Sequence, residues 1–204
     1  MIGLLFIIFI IYIVSMFIFP WEDGKGDWHY VQIVWYDWQA LNVGMLAFIS
    51  SLIAFYISKY NAEKQRERNF AAAKAFLPES LSELTTYFRD SAKLLQEAWR
   101  HSSNNRKIPL ETRVPKLPAR YKEIFSRCIE FAEADVGDYL AYIIMRLQIH
   151  HSRIVSLTEE FTSERSVIIP QNIVSYIYCL GELQGLINQF FEFARGLEKF
   201  DNEL

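Results

Sequence analysis

Residues Met1–Phe19 form an apolar run, MIGLLFIIFIIYIVSMFIF, without a charged side chain. At about 1.5 Å of rise per residue, a helix of this length comes close to crossing a hydrocarbon core of roughly 30 Å. Trp38–Ser58 is a second uncharged run of spanning length, and from Lys59 onward charges of both signs recur as in a water-exposed domain. A hydrocarbon core leaves backbone groups no partner but their own segment, so both runs read as helices and the chain as a membrane protein. A cleaved leader fits poorly. No Lys or Arg precedes the first run, and it ends in the bulky Phe17-Ile18-Phe19-Pro20-Trp21 where a peptidase needs small residues.

Charge sets the expected orientation. The connecting segment carries Glu22, Asp23, Asp27 and Asp37 against Lys25, whereas Lys59, Lys64, Arg66 and Arg68 follow the second run. Positive residues stay cytoplasmic, which places the connection outside, both termini in the cytosol and the protein as a multi-pass component of a bacterial inner membrane. Trp21, Trp28, Trp35, Tyr36 and Trp38 crowd that connection. Amphipathic rings favour the headgroup level, so it reads as a short loop lying on the outer interface.

Along the second run Ala40, Gly44, Ala47, Ser51, Ala54 and Ser58 recur at alternating intervals of four and three, which lines all six on one helix face. Small residues let bilayer-embedded helices approach closely. The bulky first run could fill this face within one chain as a hairpin, or copies of the face could meet in a homo-oligomer. Both arrangements fit the pattern. The only polar groups of the run are Gln39, Asn42 and serines, with no Asp, Glu, Lys, Arg or His. That composition argues against a proton relay, an ion-coupled transporter or a voltage sensor.

The expected architecture is therefore all-α: a two-transmembrane hairpin over 1–58 and a cytosolic four-helix-type bundle over 59–204. The second span is expected to run on through Lys59–Leu77 until Pro78. Ser80-Leu81-Ser82-Glu83 then has capping-box spacing. Leu81, Leu84, Phe88, Ala92, Leu95 and Trp99 trace one apolar face. Further helices are expected from Ala119 to Ala132, from Gly137 to Thr162 and onward from Pro170, and together these faces make a bundle. Cys128 and Cys179 fall on apolar faces without metal-ligand spacing and read as core residues. No metal or cofactor is implied.

Two features could carry chemistry. The loop 101–118 holds Pro109, Pro115 and Pro118, and around it Arg100, Arg106, Lys107, Arg113, Lys116, Arg120 and Lys122 face only Glu111 in a chain of net charge −3. A mobile basic segment of this kind suits phosphates, whether in nucleic acid or on anionic headgroups. The second feature is Arg146-Leu147-Gln148-Ile149-His150-His151. Its Arg-x-x-x-x-His spacing resembles the motif of HEPN ribonucleases, and that resemblance implies Arg146 and His151 as catalytic residues. On a regular helix, however, Arg146 and His151 diverge by about 140° while Arg146 and His150 are neighbours. No phosphate-binding glycine loop, Ser-His-Asp set, CxxC or HExxH is present, so an enzyme and a small-molecule substrate are not expected.

The layout as a whole, two spans with a short outer loop and a single helical body from Lys59, resembles the small two-transmembrane effectors of bacterial phage-defence systems, including those of the retron-associated type. The resemblance implies a protein held inactive by a ribonucleoprotein or other protein partner, and released to damage the membrane. A membrane anchor or scaffold subunit shares the same layout.

Overall fold

Pro20 closes the N-terminal apolar run. In the computed structural model, which describes residues 2–104, 108–198 and 200, the run begins as helix α1 (Ile2–Ile13), widens into a π-helical turn over Val14–Ile18, and continues as α2 (Phe19–Asp23). Proline has no N–H to give one turn back, and its ring crowds the carbonyl there. The Met16 carbonyl accepts instead from Trp35 Nε1 at 3.1 Å.

The chain is all-helical, with 82 % of it in helices and no strand among the described residues. It divides into two compact units, Met1–Ala62 and Glu63–Leu204. In the first, the connection after α2 is not the expected loop. Gly24–Gly26 make a tight turn, and Trp28–Asp37 form a helix, α3, whose first turn is capped by the Asp27 carboxylate accepting from His29 N at 2.9 Å. Glycine is required twice in that turn. A Cβ at Gly24 would lie 2.9 Å from the Pro20 carbonyl oxygen, and Gly26 has φ +83°. A break at Trp38 separates α3 from α4 (Gln39–Lys74).

Among the described helices, one helical run is long and apolar enough to cross a membrane. It is Gln39–Ser103, in which only Ala75 and Phe76 separate α4 from α5 (Leu77–Ser103). Its most apolar window has a mean hydropathy of 2.0 and is only 6 % buried. The expected capping box is not formed. Pro78 sits in the first turn of α5, and Ser80 lies inside the helix, buried, with no hydrogen-bond partner for its hydroxyl.

The second unit packs the end of α4 with α5, α6 (Tyr121–Phe131), α7 (Ala134–Thr162) and α8 (Pro170–Arg195). Contacts give the directions. Tyr139 donates to the Leu186 carbonyl, Arg146 pairs with Glu182, and Arg153 donates to Cys179 Sγ, so α8 descends as α7 rises. Tyr87 meets His151 and His101 meets Phe161, so α5 and α7 run the same way. Parallel neighbours cannot be joined by a short turn. The chain must return along the bundle before α7 begins, and residues 108–120 together with α6 make that return, α6 ending where the Ala132 carbonyl accepts from Arg66 of α4.

Candidate functional site

The returning segment carries the basic residues, and it is docked where a mobile loop was expected. Leu110, Val114 and Leu117 pack against the core. The Glu97 carboxylate on α5 accepts from the backbone N–H of Glu111 at 2.6 Å and of Thr112 at 3.0 Å. With its apolar side chains turned in, the segment turns its charges out. Arg113, Lys116, Arg120 and Lys122 are exposed, as is Arg100 at the end of α5, and among the described residues none of the five forms a salt bridge. Arg106 and Lys107 lie outside the described residues.

Burial disfavours the charge of Glu97, but bonds from Thr112 and Glu111 and the nearby His101 outweigh it and hold its pKa below the ordinary carboxylate value. A carboxyl depressed in the folded state stabilises above its ordinary pKa, and that stability is lost as pH falls through the folded value. Glu97→Ala should remove about 1–2 kcal/mol, a charged acceptor for two N–H groups being lost. Trypsin cleavage after Arg113 and Lys116 should accelerate in step, with Glu97→Gln intermediate because its carbonyl still accepts one bond. Equal cleavage rates in all three proteins would mean that the carboxylate does not hold the segment.

In the first unit, Ala40, Gly44, Ala47, Ser51, Ala54 and Ser58 are all exposed, and a Cβ added at Gly44 meets nothing within 4 Å. Ser50 and Ser51 donate back to the carbonyls of Leu46 and Ala47 at 2.8 and 2.9 Å, so their hydroxyls require no water. The side of α4 that does turn inward is a different one. Asn42 is only 6 % exposed, with Met45, Ile49 and Leu52 half-buried along the same side. Asn42 joins three segments: its Oδ1 accepts from Tyr12 Oη at 2.9 Å, and its Nδ2 donates to the Trp35 carbonyl at 3.0 Å.

Arg146 and His151 are not brought together. Arg146 pairs with Glu182 on α8, while His151 Nδ1 shares a hydrogen bond of 3.1 Å with Tyr87 Oη on α5. Each side chain is engaged with a different helix. His150, between them in sequence, is buried with neither ring nitrogen hydrogen-bonded, and burial first, then Arg153, His151 and Arg146, pushes its pKa down to about 4. Cys128 is fully buried and its thiol is pushed up to about 11 by that burial, whereas Cys179 is half-buried against Arg153. Of these contacts, only Asn42 had a visible sequence signal, a lone amide in an apolar run. Nothing local marks Glu97 among the solvent-facing acids of α5.

Compared with protein-family models, curated proteins and solved structures, the chain matches none of the three.

Proposed function

We propose that this chain is a bacterial inner-membrane effector that permeabilises the membrane when a partner releases its cytosolic helical body. In this reading the N-terminal helical run and the uncharged part of α4 enter the bilayer as a hairpin, with both termini in the cytosol. The observation that carries it is the exposed small-residue face of α4. That face is uncharged, its Ser51 hydroxyl is satisfied by the Ala47 carbonyl, and in lipid it favours close helix–helix association. A conduit built from it would be lined by small apolar groups and hydroxyls and would select poorly between ions. The docked basic segment supports a controlling contact, since it presents cations on a fixed backbone.

Expression of the chain alone, without its partner, tests the proposal. Propidium should enter within minutes of induction while bulk RNA stays intact, and Gly44→Leu should reduce entry about tenfold by forcing the helices apart. RNA fragmentation that disappears with Arg146→Ala and His151→Ala would replace this reading by the ribonuclease. Impermeable cells with intact RNA would leave an anchor or scaffold.

A further inference from the structure

Over residues 63–76 the end of α4 and the turn after it are flanked by two cavities. One, of about 460 Å³, lies against α6 and is lined by Asn69, Ala72, Phe76, Ile124 and Phe131. The other, of about 380 Å³, lies against the start of α7 and is lined by Glu63, Arg66, Phe70, Asp135 and Val136. Two residues of this stretch, one turn apart, meet the same ring of α8. Phe70 and Phe193 have ring centroids 6.3 Å apart, and Lys74 Nζ lies 3.6 Å from the Phe193 centroid. Lys74 makes no salt bridge among the described residues, so the face of that ring is where its charge is met.

Phe193 is itself packed by a residue beyond its helix. The cap of α8 is Gly196, whose φ of +75° lies in the left-handed region that glycine adopts without strain. Two bonds close the turn, from Gly196 N–H to the Phe193 carbonyl at 2.9 Å and from Leu197 N–H to the Glu192 carbonyl at 3.0 Å. Beyond it, the Phe200 ring lies 4.9 Å from that of Tyr139, 5.5 Å from Phe190 and 5.6 Å from Phe193. Leu197 and Glu198 are exposed, so Phe200 is the described residue by which this segment grips the core. Its ring lines the second cavity and is only half-buried, which leaves it a way out. We infer that Phe200 is a latch. Seated, it holds Phe193 against Phe70 and Lys74. Unseated, it lets Phe193 turn away and the end of α4 part from α8, into space that the two cavities already provide. Local opening of this kind takes little free energy where few apolar groups are buried. None of this depends on the membrane activity proposed above.

Hydrogen exchange in the full-length chain in detergent tests the latch. Phe200→Ala should speed exchange of the amides of residues 63–74 about tenfold, because a helix end that loses its packing loses most of what stabilises it. The far halves of α5 and α7, residues 91–103 and 151–162, should exchange as in wild type. Phe200→Leu keeps an apolar side chain and should give a smaller rise, about threefold, which is the reading to use if the alanine variant does not fold. In a Phe70→Ala background, where α4 has already lost its ring contact with Phe193, Phe200→Ala should add less than about twofold. Unchanged exchange over residues 63–74 would overturn the inference. An equal rise in every helix would do the same, since the ring would then only fill the core. A full tenfold rise in the Phe70→Ala background would also overturn it, since Phe200 would then act on α4 by another route.

Discussion

Acidification from pH 7 to pH 4 is expected to remove about 3 kcal/mol from the stability of the helical body through His150 alone, and His150→Leu should return most of it. The imidazole is 1 % exposed, and neither ring nitrogen has a hydrogen-bond partner. Proton uptake would bury a cation without an acceptor, beside the cations Arg153 and Arg146 and next to His151. The folded-state pKa is therefore pushed from 6.5 down to about 4. The unfolded chain takes its proton near 6.5 and the folded one resists, so stability is full above that value and drains as pH falls toward 4. His151 adds to the same trend, its pKa being lowered by burial and by Lys122. Urea unfolding of wild type and His150→Leu at both pH values isolates the effect, because carboxylates such as Glu97 titrate alike in the two proteins. Equal acid losses would show that water or a rearranged acceptor reaches the ring. At neutral pH Leu should be close to neutral, since it removes a polar group that made no bond.

Asn42→Leu is expected to cost about 1–3 kcal/mol in the first unit, because it removes the partner of two part-buried polar groups at once. Tyr12 Oη loses its acceptor and the Trp35 carbonyl loses its donor, and apolar surroundings offer neither a replacement. The visible consequence should be at α3. Its amides should exchange hydrogen some thirtyfold faster or more in detergent, since about 2 kcal/mol of local opening energy corresponds to that factor. Tyr12→Phe should have a smaller effect, because the bond from Asn42 to Trp35 remains. Unchanged exchange across Trp28–Asp37 in Asn42→Leu would mean that the bond from Trp35 to Met16 suffices to hold α3.

Helices with one buried stripe were legible in the sequence, and helices wrapped on several sides were not. On α7, Leu140, Ile143, Leu147, Ile154, Leu157 and Phe161 are all buried, as their spacing alone indicates. On α5, Leu81, Leu84, Phe88 and Leu95 are buried, but Ala92 and Trp99 are exposed. Leu77, Ser80, Tyr87, Ser91, Leu94 and Ala98 take the remaining core positions. That helix meets α8 on one side and α6, α7 and the returning segment on others, so its buried arc is wider than one stripe of large residues. On α8, Ile173, Leu180 and Ile187 are buried, while Ile177 stays at the surface, as does Leu197 just past the helix end. The prolines and charges of the returning segment marked it as non-helical, but its docking rests on Leu110, Val114 and Leu117, whose spacing has no periodic signature. The separation of Arg146 from His151 is likewise tertiary. Helical geometry already turned them apart, and Glu182 and Tyr87, far off in sequence, decide where each points.

The carbonyl left over by Pro20 makes two distant positions a single unit of inheritance. With proline at 20 there is no N–H at that position to give to the Met16 carbonyl, and the Trp35 indole gives one from α3, so losing the indole N–H removes that bond. With alanine at 20 the helix could serve its own carbonyl, and the indole would become dispensable. The effect of a change at 35 thus depends on the residue at 20. A change at 35 is costly while proline stands at 20 and tolerated once it has gone, so the order of the two steps would matter: relieve the proline first, and the tryptophan is then free to vary.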